Sequence, residues 1–158
     1  MATLELALEI AAGAHAGTKD RQGKPYILHP IRVMMGVESE QAQIVAILHD
    51  VVEDTDVTFE DLREAGFSEE TLATLALVTH KDGVSYADYV IACKDNPIAR
   101  EVKLSDLRDN SSLSRLLLRA DRFDSDSRRM HRYLLSYRFL AGEIDEAAYR
   151  RLMPSFEK

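Results

Sequence analysis

The chain has 158 residues, 46% of them apolar and 30% charged, a size and balance that fit one globular domain with one core and exclude a disordered chain. Its net charge of −7, with 27 acidic residues spread along the chain, excludes a broad phosphate-neutralising face and with it general nucleic-acid binding. No apolar run approaches the ~20 residues that span a bilayer, and the first helix carries Glu5 and Glu9 where a secretion signal would be basic, so a cytoplasmic protein that does not enter membranes is predicted.

In chain order, Leu4, Leu6, Ala7, Ile10, Ala11 and Ala14 form the apolar face of a first helix that Gly17 stops. Thr18 to Ile27, with Gly23 and Pro25, reads as a loop. His29-Pro30 then leads into a short helix, Ile31 to Met35, because proline is favoured in a first helical turn, and Gly36 closes it. Ser39 caps the next helix, whose nearly continuous run Ile44, Val45, Ile47, Leu48, Val51 and Val52 predicts a central, buried element extending through residue 52. Thr58 with Asp61 and Ser85 with Asp88 each pair a cap residue with an acid three positions on, and each opens a further helix. The second of these carries the lone cysteine, Cys93, expected to be a buried, inert thiol. Asn96-Pro97 starts a helix over Ile98 to Asn110. A loop centred on Asp121 to Ser125 precedes an amphipathic helix from Asp126 to Leu140, and Asp145 to Leu152 forms a last short one. No strand pattern, repeat or linker interrupts residues 1–158, so the expected architecture is all-α, a single bundle of about eight or nine helices.

The chemistry concentrates in His49-Asp50-Val51-Val52-Glu53-Asp54, where ionisable groups interrupt the most apolar helix. Burying such groups is costly unless something pairs with them, and a divalent cation would do so. On a helix, adjacent residues point ~100° apart and residues four apart share a face. His49 and Asp50 can therefore converge on one ion, while Glu53 and Asp54 stand one turn beyond, beside the ion without having to bind it. His29 and Asp106 would complete a site of two imidazoles and two carboxylates, a donor set suited to manganese, iron or zinc better than to calcium. Among the other histidines, His15 is read as structural, and His80 and His131 as exposed.

The segments Pro25-Tyr26-Ile27-Leu28-His29-Pro30, Leu48-His49-Asp50-Val51-Val52-Glu53-Asp54-Thr55 and Val102-Lys103-Leu104-Ser105-Asp106-Leu107 with Asn110 resemble the hydrolase domain of RelA/SpoT proteins and the stand-alone small alarmone hydrolases, over roughly residues 5 to 115. The resemblance implies an all-helical HD domain that holds a manganese ion through His29, His49, Asp50 and Asp106 and removes the 3′-pyrophosphate from guanosine tetra- or pentaphosphate. It further implies that Glu53 and Asp54 orient or deprotonate the attacking water, that Asn110 contacts ribose or phosphate, and that Tyr26 and Lys103 line the pocket. Residues 1–158 show no nucleotidyl-synthesising pattern, so synthesis of the alarmone is not expected of them. The family carries an Arg-Lys pair before its first histidine, the arginine stacking on the guanine; here those positions are Asp20 and Arg21. An acid offers no guanidinium face. Lys19 and Arg21 are then the candidate substrate contacts on this loop.

The leading expectation is thus a metal-dependent phosphohydrolase acting on a small nucleotide, the guanosine alarmone first. One alternative keeps the metal and changes the substrate to another nucleotide or a phosphorylated cofactor, which Asp20 motivates. The other is a metal-containing nucleotide sensor that does not cleave. The sequence carries no signal for oligomeric state.

Overall fold

A computed structural model describes residues 2–117 and 119–157 of the chain. Among these residues there is no β-strand, and helices account for the whole architecture. They are α1 (Leu4–Ala14), α2 (Leu28–Met35), α3 (Glu40–Leu48), α4 (Val51–Asp54), α5 (Phe59–Glu64), α6 (Glu69–Val78), α7 (Tyr86–Cys93), α8 (Pro97–Asn110), α9 (Phe123–Leu140), α10 (Glu146–Leu152) and α11 (Pro154–Glu157). A 3-10 turn, Ala120–Arg122, leads into α9.

Local capping explains most of the starts. The Ser39 side chain accepts from the Ala42 N–H, Ser85 from Asp88 and Asn96 from Ala99, each satisfying a first-turn donor with no intrahelical partner. Thr58 and Asp61 form the reciprocal capping box expected of them. Ser68 does the same work for α6, whose sequence shows no acid answering three residues on. That helix and α11 bring the number of helical segments above the eight or nine expected.

The central element is α3, packed against α1, α2, α6 and α8. Val45, Ala46, Ile47 and Leu48 are completely buried, and each large aliphatic side chain so placed contributes about 2 kcal/mol of transfer free energy. On the other side of α8, α9 packs against α7, α8, α10 and α11, where Phe139 and Tyr149 stack with centroids 4.4 Å apart. Cys93 is buried, its thiol donating to the Leu77 carbonyl at 3.2 Å.

Besides α2, which begins at Leu28 rather than Ile31, two boundaries differ from the sequence expectation. The predicted helix through residue 52 is broken: α3 ends at Leu48, α4 begins at Val51, and His49 and Asp50 occupy a turn between them. His49 keeps helical angles (φ −57°, ψ −34°), but Asp50 flattens to φ −97°, ψ −6°, so the ladder loosens at the two polar residues. Nor are all four groups buried, since Glu53 and Asp54 open onto solvent. The second difference is α9, which starts at Phe123 rather than Asp126, because Asp126 is a buried first-turn acid and not the cap.

Candidate metal centre

Three elements deliver the polar residues to one point. Tight bonds from the His29 N–H to the Tyr26 carbonyl (2.9 Å) and from Leu28 to Pro25 (3.2 Å) wind the chain into α2 and bring Tyr26 and His29 together at its start. The α3–α4 turn presents His49 and Asp50. From α8 comes Asp106, with Lys103 and Asn110 one turn to either side of it on the same face.

His29, His49, Asp50 and Asp106 converge there. The Nε2 atom of His29 lies 3.5 Å from Asp50 Oδ2 and 3.2 Å from Asp106 Oδ1, and that of His49 lies 3.1 Å and 3.6 Å from the same two oxygens. Ligand atoms of His29, His49 and Asp50 all fall within 4.8 Å of one another. His49, His29 and Asp106 are buried, whereas Asp50 is half-buried and opens the site on one side.

The surroundings fix which atom of each imidazole faces inward. His49 Nδ1 donates to the Ala46 carbonyl at 2.7 Å, which leaves Nε2 with its lone pair toward two carboxylate oxygens. That Nε2 is buried and makes no hydrogen bond, an omission a cation would satisfy. His29 Nδ1 faces Asp109 Oδ2 at 2.6 Å, so its Nε2 is directed inward as well. Two inward nitrogens and two carboxylates therefore form a possible divalent-metal site.

The electrostatics agree with a concentration of negative oxygen that calls for positive charge. Burial pushes the Asp50 carboxyl up, but His49 and His29 outweigh it and hold the pKa at about 2. Burial likewise opposes ionisation of Asp106, yet Lys103 and the two histidines keep its carboxyl well below the usual range. The Lys103 ammonium donates to Asp106 Oδ2 at 2.7 Å and to the Tyr89 hydroxyl at 3.1 Å. Asn110 Nδ2 donates to Asp106 Oδ1 at 2.7 Å. Tyr26 donates its hydroxyl to Asp50 Oδ2 at 2.6 Å and reaches Asp54 Oδ2 at 3.3 Å.

These groups form the floor of a cleft of about 840 Å³. Glu53 and Asp54 stand at its mouth. Partial desolvation by the walls raises both carboxyls above their ordinary values, and Glu53 Oε2 is held by the His80 N–H at 2.9 Å. Lys19 and Arg21 line the loop side of the same cleft. Asp20 also lines the cleft, but its carboxylate is engaged by its own loop. Its Oδ1 accepts the N–H groups of Gln22 and Lys24, each at 2.9 Å, so the acid closes its own loop.

Several participants lie outside the sequence expectation. Asp109 and Arg115 back His29, and Arg132 with Tyr86 and Tyr89 lines the cleft as well. His80, expected to be exposed, is only half so and stacks on Tyr89 at 4.8 Å. His15 is buried, caps α1 and packs on Tyr26 with ring centroids 4.9 Å apart, in keeping with a structural residue that also reaches the cleft. His131 is exposed, as expected.

Comparison with known proteins fits this geometry. No protein-family model matches the chain. It is 32% identical over 120 residues to a guanosine-3′,5′-bis(diphosphate) 3′-pyrophosphohydrolase of Aquifex aeolicus, covering 68% of this chain and 17% of that protein. It is 32% identical over 129 residues to a GTP pyrophosphokinase of Streptomyces coelicolor, covering 73% of this chain and 15% of that protein. The chain thus spans less than a fifth of the length of these curated relatives. A solved structure of a metazoan SpoT ortholog, described as hydrolysing ppGpp, superposes with a TM-score of 0.67 at 24% identity over 97% of both chains. That likeness extends the all-helical fold to α10 and α11, past the region the motifs cover. With three motif blocks meeting at one buried point of this fold, the chain belongs to the HD domains of the RelA/SpoT hydrolase type.

Proposed function

We propose that the chain is a metal-dependent nucleotide phosphohydrolase of the cytoplasm whose substrate is guanosine tetra- or pentaphosphate, from which it removes the 3′-pyrophosphate. The observation that carries this reading is the convergence of His29, His49, Asp50 and Asp106 on the floor of a cleft with carboxylates at its mouth and cations on its walls. The names of the Aquifex and metazoan relatives favour the guanosine substrate.

His29, His49, Asp50 and Asp106 would hold the metal, manganese by preference and iron or zinc by the same donors. Such an ion supplies Lewis acidity toward a phosphoryl oxygen and a water molecule. The chain's own residues do the rest. Glu53, held by the His80 N–H and raised in pKa, suits the acceptance of a proton from the attacking water, and Asp54, tied to Tyr26, orients it. Lys103 keeps Asp106 ionised and Asn110 holds its other oxygen, so both support the metal floor before they touch any nucleotide. Lys19 and Arg21 face the anionic substrate from the loop.

One observation favours a second reading. With Asp20 committed to its own turn, the loop lacks a stacking guanidinium at that position, and a different phosphorylated nucleotide or cofactor would fit the same metal chemistry. Phosphate and pyrophosphate release from a nucleotide panel, with manganese, iron or zinc restored after chelation, tests both. Preference for guanosine tetraphosphate supports the first reading and preference for another nucleotide the second. Tight binding without turnover under every metal would leave only a sensor. Asp106→Ala is expected to lose metal and activity together, whereas Glu53→Gln keeps the metal and loses ~10²- to 10⁴-fold in turnover. Full activity in Glu53→Gln would remove its proton role.

A further inference from the structure

The cations that line the cleft divide into those already committed and those that are not. Lys103 is paired with Asp106, Arg115 with Asp109 and Arg129 with Asp126. Arg132 differs. Among the described residues its guanidinium makes no ion pair, and its contacts are the face of Tyr86, 4.6 Å from Cζ to the ring centroid, and the ring of Tyr133 at 5.8 Å. On the helices around it, Asp126 is paired with Arg119 and Arg129 and Asp88 with Arg150, while Glu157 accepts the Ala87 N–H at 2.8 Å and makes no ion pair with Arg132.

A half-buried guanidinium on aromatic faces is held in one orientation but keeps an uncompensated charge. Arg132 Nε and the Tyr86 hydroxyl are moreover closed off from solvent without a hydrogen-bond partner among the described residues. Arg132 lines the cleft with a charge that no acid pairs, and a planar guanidinium fits the oxygens of a phosphate in particular. The position is adjacent to the metal floor, because Lys103 Nζ, which holds Asp106, is 5.8 Å from the same Tyr86 ring. A ligand reaching both points carries phosphate at two places.

We propose that Arg132, seated over Tyr86 at the α7–α9 end of the cleft, binds the phosphate group of the nucleotide that is not cleaved at the metal centre. The inference rests on the phosphohydrolase reading above. It makes Arg132 the residue that distinguishes a nucleotide phosphorylated at both ends from one phosphorylated only at the cleaved position.

The test compares guanosine 3′-diphosphate with and without a 5′-diphosphate, using the manganese-loaded wild type, Arg132→Met and Arg132→Lys. Arg132→Met is expected to raise KM for the doubly phosphorylated substrate by ~10-fold or more, the loss of one charged hydrogen bond, with kcat little changed. Kinetics on the singly phosphorylated substrate should stay at the wild-type level, and Arg132→Lys should recover part of the loss. Equal effects on both substrates, or none, would overturn the proposal. If Arg132→Met does not fold, Tyr86→Phe replaces it, with a smaller KM effect of the same selectivity; no selectivity there overturns it equally. Should wild type cleave neither substrate, the phosphohydrolase reading fails by itself. Calorimetry with inorganic pyrophosphate on the chelated chain then decides the subsite: binding weakened ~10-fold in Arg132→Met supports it, and equal binding overturns it.

Discussion

The Nδ1 atom of His29 lies 2.6 Å from Oδ2 of Asp109, a carboxylate that also receives Arg32 Nε at 2.7 Å and the Arg115 guanidinium. Burial would raise the Asp109 pKa, but these partners outweigh it and the carboxyl stays ionised far below its ordinary range. An ionised acid behind an imidazole holds the ring in place and makes the inward nitrogen a better donor. Asp109→Asn is therefore expected to weaken metal affinity by ~10- to 100-fold. Calorimetric titration of manganese measures it, and circular dichroism of the metal-free variant separates this loss from a failure to fold. Unchanged affinity would show that His29 needs no backing carboxylate.

The unsatisfied Nε2 of His49 bears on stability as well. A ligand that binds only the folded state stabilises it by about 2.7 kcal/mol at a hundredfold excess over Kd. Thermal unfolding of the chelated protein should shift upward with added manganese, by several degrees for a chain of this size. His49→Gln should abolish most of the shift. A melting temperature indifferent to manganese in the wild type would argue that these four side chains do not bind it.

A second buried carboxylate controls the start of α9. Asp126 accepts Arg119 Nη2 and Arg129 Nη2, both at 2.8 Å, as well as the Arg119 N–H at 3.2 Å, and its pKa is lowered chiefly by the Arg119 side chain. A lowered folded-state pKa means that the stabilisation is present above the unfolded value of about 4 and is lost as pH falls below it. Protease cleavage within 119–122 is expected to accelerate as pH drops below about 4 in the wild type. Asp126→Asn should show the faster cleavage already at neutral pH. Equal resistance of the two proteins at pH 7 would assign the order of this segment to other contacts.

What could be read in advance divides by the range of the interaction. Thr58, Ser85 and Asn96 announce their helices because a cap and its partner sit three residues apart. His29, His49, Asp50 and Asp106 were legible because their types and flanking residues form recognisable blocks. Asp109 was not, since its pairing with His29 spans 80 residues and nothing local marks it among other acids. The break at His49–Asp50 was hidden by continuous apolar character on both sides, which reads as one helix whether or not the ladder loosens. Nothing local marks Arg132 among the cations of an amphipathic helix, because the Tyr86 ring it lies over comes from α7.

The approach of α2 to α8 offers a last test of how tightly the floor is built. Ser105 Oγ donates to the Val33 carbonyl at 2.8 Å, joining the end of α2 to the residue beside Asp106. Gly36 lies against this bond, and a Cβ built there would overlap Ser105 Oγ and crowd the Val33 carbonyl at 3.4 Å. Gly36 has φ −92°, a value any residue adopts, so the constraint is space and not backbone freedom. Gly36→Ala must push Ser105 off Val33 or part the helices, at a cost of about 1–3 kcal/mol. Because Ser105 precedes Asp106, metal affinity should fall along with the melting temperature. Gly36→Ala combined with Ser105→Gly removes the overlap and should recover much of the affinity; a double variant no better than the single would mean that the close approach does not set the position of Asp106.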